Sequence, residues 1–533
     1  MPVHGLGAFM GKRFSRRSFL GGSAAAAMVA MTQGLDACSG SSSVSGGNPN
    51  GAPGDLPDPT RAAGTADDSM PFDHVVIVMM ENHSFDNYLG MLPLRGQPLA
   101  DGFRFDDNGL PLNTNPLDGG YQRAFRMPST CAPNSVTQNW NSSHKQINGG
   151  RMDGFAGTSI TAMGYWDEAD IPFYYSLAKT FCVGNRCFAS APCQTYPNRR
   201  FLYSGTAAGD ISTSNSSFSL PYPAGGTMAD ILNKYGITWR DYFTDLPNLA
   251  IIPQILERNP LNFSPVLQFY LDCAAGTLPA VSFVDSDFGL GPTIGSLLFG
   301  NLKSQAGKLP AAVADVIDRL DGAVDALGGS EENPQDIAYG EAFVSQVVQA
   351  VMASPKWSRT LLVWTYDEHG GYYDHVPPAS VPKPDNIAPM LDSGDLPGAY
   401  NITGMRVPTV VVSPYSKANA VTNVIHDHTS IIATIRAKWN LPALTYRDAR
   451  ANTLMDFLDL DAQPAFMTPP KLAAPSNPAF GLSACDTVPQ PVIQPTPDFT
   501  GPLPQALQTA PQAPGQRIVA AHPMGWKAGS RLG

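Results

Sequence analysis

"HVVIVMMENHSFDNYLG", residues 74–90, opens as an unbroken apolar run and ends abruptly in Glu81, Asn82 and His83. Five apolar residues in succession, Val76 to Met80, read as a strand buried on both faces, because a strand with one wet face would alternate. Such a strand has no use for a carboxylate and a carboxamide at its tip unless something there needs oxygen ligands. "TLLVWTYDEHGG", residues 360–371, repeats the pattern and ends in Asp367 and Glu368. In open α/β sheets, ligand sites form at the carboxyl ends of the strands. Glu81, Asn82, Asp367 and Glu368 converging at one such edge suit one divalent cation. Without a cation, the three carboxylates would repel and raise one another's pKa. Read alone, "DEHGG" is equally a solvated strand exit with Gly370 and Gly371 making the turn. That reading explains one motif but not the recurrence of paired oxygen donors.

Outward from these two runs, strand-like and helix-like segments alternate. "LPAVSFVD" (278–285) and "PTVVVSP" (408–414) read as further buried strands. "IPFYYSLAKTF" (171–181), "TMADILNKYG" (227–236), "AYGEAFVSQVVQAVMAS" (338–354) and "HTSIIATIRAKWN" (428–440) read as helices. The alternation predicts an α/β fold, a three-layer sandwich with a mostly parallel central sheet and helices on both faces. No internal repeat interrupts it. The catalytic domain is expected over residues 71–463. Beyond it prolines accumulate, so 464–533 reads as a Pro-rich tail of extended or disordered chain, with Cys485 placed to pin part of it.

The chain has 533 residues, 43% hydrophobic and 15% charged, ordinary for a globular protein with a large core. A formal charge of -11 argues against a nucleic-acid partner, which would need a basic face. The N-terminus carries Arg16-Arg17 in "FSRRSFLGGSAAAAMVAM". This matches a twin-arginine signal over 1–38, whose core is too short and too rich in Ala and Gly to anchor by spanning. Leu35-Asp36-Ala37-Cys38 is similar to a lipobox, with an unusual Asp36, so lipidation of Cys38 and ordinary cleavage both stay open. Residues 39–70 read as a flexible Ser/Gly/Pro-rich linker. The expected partner is the twin-arginine export machinery, and the expected destination the periplasm, the cell envelope or the medium. A lipid on Cys38 would hold the protein to the membrane. Setting Cys38 aside leaves six cysteines, an even number that suits disulfides in an oxidising compartment.

A third motif, "APCQTYPNRRFLYSGT" (191–206), puts Thr195, Pro197, Asn198 and Arg199 just before an aromatic helical pattern. Helix N-termini favour anions, and a hydroxyl beside a cation can become a nucleophile. Taken alone, Thr195 reads equally as an ordinary helix cap.

Together with "MDGF" (152–155), "GEAF" and "DHTSIIATI" (427–435), these motifs occur in the order of a known family. Over about residues 72–460 the chain resembles bacterial phosphoesterases comprising phospholipases C and an acid phosphatase, related in fold to alkaline phosphatases. The resemblance implies a metal site of Glu81, Asn82, Asp367, Glu368 and Thr195, with Thr195 also the nucleophile. It implies a phosphoryl contact for His144, before "GGRMDGF". His369 and His375 flank the metal motif and are candidates for protonating the leaving oxygen, as are His426 and His428. Asn82 and Asn198 are expected to contact substrate, and Arg199 to pair with phosphate or with a carboxylate. Two positions depart from the family pattern. Asn333-Pro334 stands where a His-Pro pair is usual, and Asn cannot shuttle a proton. Tyr196 stands where His or Asp is usual. The implied function is a metal-dependent phosphoesterase, phospholipase C-like on phospholipids, with Phe85, Tyr88, Tyr372 and Tyr373 available to a choline head group. The alternatives are an acid phosphatase on small phosphomonoesters and a non-catalytic surface lipoprotein that keeps the fold.

Overall fold

The computed structural model describes residues 48–117, 120–132, 136–244, 247–287, 331–477 and Cys485. The twin-arginine motif, Cys38, the first part of the linker and nearly all of the tail beyond 477 lie outside these residues. The main sheet has eight strands: β1 (His74–Met80), β2 (Cys182–Gly184), β3 (Trp239–Phe243), β4 (Phe263–Pro265), β5 (Val281–Asp285), β6 (Thr360–Tyr366), β7 (Val410–Val412) and β8 (Ala420–Thr422). Their spatial order is β8-β2-β7-β6-β1-β5-β3-β4. β7 alone runs antiparallel to its neighbours β6 and β2, and the remaining pairs are parallel.

β1 lies at the centre and is buried from Val75 onward. Its side chains alternate between two cores, as the pleat requires. Val76, Val78 and Met80 join one core, and Val75, Ile77 and Met79 the other. Among the described residues, the helices of seven residues or more are α1 (Trp140–Ile147), α2 (Pro172–Thr180), α3 (Thr195–Ser204), α4 (Met228–Lys234), α5 (Val266–Ala275), α6 (Ile337–Ala353) and α7 (His428–Trp439). The first core takes Tyr174 of α2, Phe269 of α5 and Val347 of α6, and the second takes Leu202 of α3, Leu232 of α4 and Ile432 of α7. The result is the expected three-layer α/β sandwich. Capping is local and legible: Thr227 with Asp230 and Asp427 with Ser430 form capping boxes at α4 and α7.

Two expectations need correcting. From residue 48 the linker is not a free tether. Lys438 Nζ donates to the carbonyls of Asp67 and Met70 at 2.9 Å, Arg436 Nη2 to Asp55 at 2.9 Å, and Asn440 Nδ2 to Asp58 at 3.0 Å. The polar side chains at the end of α7 supply the donors that a turn-rich segment cannot supply itself. The cysteines form one disulfide among the described residues, Cys131–Cys485, which pins the tail. Cys182, Cys187, Cys193 and Cys273 stay as buried thiols, and burial pushes each thiol pKa up. The tail is also held before that point. Trp357 Nε1 donates to Phe466 O at 2.8 Å, and Ser476 binds Glu341 through its N and Oγ at 2.7 and 2.8 Å. No helix among the described residues is long and apolar enough to cross a membrane.

Candidate active site

Strand register assembles the site. Met80 of β1 faces Tyr366 of β6 across a parallel ladder, and Asp367 N donates to Met80 O at 3.1 Å. The residues that follow therefore emerge side by side: Glu81 and Asn82 from one strand, Asp367 and Glu368 from the other. All four are buried. The two tips approach very closely. Asn82 has a left-handed φ of 86°, and a Cβ on Gly370 (φ 63°) would stand 1.9 Å from Asn82 O. Only glycine can make this turn.

α3 brings the hydroxyl to this edge. Thr195 is its first residue, and its Oγ1 donates to Asn82 Oδ1 at 3.5 Å, near Asp367, whose charged form the hydroxyl favours. Arg199 lies one turn further along the same helix face. Its Nε is 3.3 Å from Asp367 Oδ2 and its Nη2 3.3 Å from Glu81 Oε1. Of the two readings for Arg199, the structure takes the carboxylate one. Asn198 is also not directed at a substrate: its Nδ2 donates to Cys193 O at 2.8 Å and to Gln194 O at 3.1 Å, and its Oδ1 accepts from Ala191 N at 2.9 Å. It fixes the loop that delivers Thr195.

The histidines divide by their partners. His369 is bracketed by Glu368 Oε2 at 3.0 Å and Gln146 Oε1 at 2.8 Å, and burial pushes its pKa down to about 3. It orients a site carboxylate rather than standing ready as an acid. His375 is drawn elsewhere, to Asp86 at 2.7 Å and Asp101 at 3.5 Å. Burial opposes its charge, but Asp86 and Asp101 override it and lift its pKa to about 9. His426 pairs with Asp456, and His428 Nε2 is held by Tyr366 O at 3.0 Å. His144 is half-buried and donates Nδ1–H to Trp140 O at 2.7 Å, with burial holding its pKa below the usual histidine value. Its Nε2 points toward Gly398, where a Cβ would stand 2.8 Å away. The aromatics assigned to a head group are packed instead: His83 stacks on Tyr88 and Tyr372, and Arg406 lies over Phe85. Tyr373 is buried against Phe155.

One residue of the site escaped the sequence reading. Glu332 accepts from Gln138 Nε2 at 3.4 Å and lies close enough to Glu81 and Asn82 to feel both, and burial followed by the Asp367 charge pushes its pKa up. The doubled acid before Asn333-Pro334 was the signal. Asn333 itself accepts from the Tyr372 hydroxyl.

The donor set fits a hard cation. The carboxylates of Glu81, Asp367 and Glu368, a carboxamide and a hydroxyl face one edge, where Arg199 pairs with Glu81 and Asp367. Burial and then the neighbouring Asp367 push Glu368 well above the usual carboxylate range, and its Oε1 is buried with no hydrogen-bond partner. A cation there would resolve both features. The tightest grouping of potential ligand atoms among the described residues is a different one, Asp86, Asp374 and His375, within 4.8 Å of one another. Its charge is already met, since Arg406 pairs with Asp86 at 3.0 Å and with Asp374 at 2.9 Å.

Residues 72–442 match the model of the phosphoesterase family. The chain belongs to that family. It is a hydrolase acting on phosphate ester bonds. Among its relatives, non-specific phospholipase C6 of Arabidopsis thaliana is 29% identical over 422 residues, covering 72% of each chain. Phospholipase C B of Mycobacterium tuberculosis is 25% identical over 498 residues, covering 84% of this chain and 89% of the relative. A solved alkaline phosphatase superfamily protein from Vibrio parahaemolyticus aligns over 67% of this phosphoesterase and 77% of that chain, with 10% identity and a TM-score of 0.30.

Proposed function

We propose that this phosphoesterase cleaves phospholipids in the manner of a phospholipase C, using Thr195 as the nucleophile. The observation that carries the reading is the hydroxyl of Thr195 at the start of α3, donating to Asn82 Oδ1 at 3.5 Å at the edge where two strands deliver carboxylates. The phospholipase C names of the relatives favour a lipid diester as substrate. Oγ1 attacks phosphorus while its proton leaves toward Asp367. The bond from phosphorus to the glyceryl oxygen breaks, and that oxygen takes a proton to give diacylglycerol. Water then hydrolyses the phosphothreonine and releases the phosphorylated head group. Glu81, Asn82, Asp367, Glu368 and Thr195 would hold a divalent cation, which when bound supplies positive charge against the phosphoryl oxygens and lowers the pKa of the hydroxyl. Arg199 keeps Glu81 and Asp367 in register, and His369 orients Glu368. Export by the twin-arginine route is part of the same proposal, with Cys38 as the residue that would carry a lipid.

The test compares p-nitrophenyl phosphorylcholine with p-nitrophenyl phosphate, with and without chelator. The diester should turn over faster, and chelation should abolish turnover. Thr195→Val should cost at least about a thousandfold, whereas Thr195→Ser should retain activity. A Val variant near the wild-type rate would remove the nucleophile. Monoester hydrolysis ahead by more than about tenfold would make the protein an acid phosphatase. For export, Arg16→Lys with Arg17→Lys should strand the precursor in the cytoplasm, and Cys38→Ala, which removes the thiol that would carry a lipid, should release the protein from the membrane fraction.

A further inference from the structure

The apolar tip of the loop spanning residues 385–395 has no place in the chemistry above. Ile387, Met390 and Leu391 are 45%, 52% and 36% exposed, and the tip around them is open to solvent. Exposed leucines scattered singly are unremarkable, but a contiguous run on one loop marks an interaction surface.

The stem of this loop is tightly held. Thr206 Oγ1 donates to Asp385 Oδ2 at 2.6 Å, and Met390 N to Gly209 O at 2.9 Å. At the far end Trp140 Nε1 donates to Leu396 O at 2.8 Å, and Leu396 N to Asn141 Oδ1 at 2.7 Å. The apolar tip is thus presented on a fixed frame, not left loose. That frame reaches the ring of His144 at one end and the start of the nucleophile helix at the other. Gly398 faces His144 Nε2. The segment carrying Thr206 and Gly209 continues to Thr213, whose Oγ1 accepts from Tyr196 N at the start of the nucleophile helix at 3.2 Å.

Charge selects the partner. Between Lys383 and Arg406 the chain has three aspartates, Asp385, Asp392 and Asp395, and no lysine or arginine. An anionic membrane surface would be repelled by this rim, because interfacial binding to anionic lipids depends on basic residues. A surface that turns quaternary ammonium groups outward meets it with the opposite charge.

We propose that residues 385–395 dock onto a zwitterionic, choline-bearing lipid surface, sinking Ile387, Met390 and Leu391 into it and holding the mouth of the site against the bilayer. The inference rests on the phospholipid reading of the site and names the surface on which that site works.

The test uses the full exported protein and its Ile387→Asp, Met390→Asp double variant, with vesicles of phosphatidylcholine or of phosphatidylglycerol. Wild type should sediment with phosphatidylcholine vesicles and much less with phosphatidylglycerol. The double variant should partition at least about tenfold less and lose vesicle hydrolysis in parallel. Its turnover of soluble p-nitrophenyl phosphorylcholine should match wild type, since neither residue belongs to the chemistry. Unchanged sedimentation of the variant, or a wild-type preference for phosphatidylglycerol, overturns the proposal. So does a change of oligomeric state in the variant, which would make this face a protein contact. Absence of any choline-diester turnover by wild type would remove the phospholipase reading instead, and vesicle sedimentation would still decide the docking loop.

Discussion

Arg199 joins Glu81 and Asp367 with two contacts of 3.3 Å, all three side chains being buried at the tips of neighbouring strands. Removing the guanidinium leaves two buried carboxylates without their cationic partner, which costs about 3–5 kcal/mol in comparable settings. Arg199→Gln should lose stability of that order in urea denaturation. Added divalent cation should return part of the loss, if the same carboxylates take it up. A variant as stable as wild type would mean that the carboxylates are not charged in the folded protein.

Gly370 tests how closely the two strand tips must meet. Gly370→Ala would force a Cβ to within 1.9 Å of the Asn82 carbonyl, at a left-handed φ of 63°. Gly236 has a similar φ of 69° but open space around it. Gly236→Ala should therefore cost only backbone strain, about 1 kcal/mol. Gly370→Ala should lower the melting temperature further and remove most activity, because Asn82 must move. Equal effects in the two variants would show that the approach is not tight.

His375 should make stability depend on pH. Its folded pKa of about 9 stands above the ordinary 6.5 because Asp86 and Asp101 outweigh burial. A raised pKa stabilises the fold fully below 6.5, and the contribution is lost as pH rises toward 9. The difference between wild type and His375→Gln, read by urea denaturation, should be largest near pH 6 and shrink steadily above it. Its upper bound is about 3 kcal/mol. A difference that grows with pH would contradict the pairing with Asp86.

The Cys131–Cys485 disulfide should matter to the site as well as to the tail. Cys131 bridges Asp336, and Cys485 N donates to Pro334 O at 2.6 Å, so the bond grips the segment that carries Glu332 and Asn333. Cys131→Ser with Cys485→Ser should cost about 2–5 kcal/mol. Reductant should weaken wild type similarly and leave the double variant unaffected. Thiol titration should find Cys182, Cys187, Cys193 and Cys273 unreactive until the protein unfolds.

The sequence alone carried the central strand, the helices at 172–180 and 337–353, and the four oxygen donors at two strand tips. Each of these is written locally, as an apolar run of a given period with polar residues where it stops. The short strands Cys182–Gly184 and Ala420–Thr422 were not legible, because three residues carry no period. The roles of the polar side chains needed the fold. Arg199 could have met phosphate or carboxylate until the Met80–Tyr366 register set Glu81 beside Asp367. His375 follows Asp367 and Glu368 closely in the chain, yet Asp86 and Asp101, far away in sequence, claim its ring. Glu332 reached the site from a segment whose pattern drew attention to Asn333. A residue's neighbours along the chain decide its secondary structure, but its charge state and partners depend on what packs against it. Those contacts come from distant segments that only the folded sheet brings together.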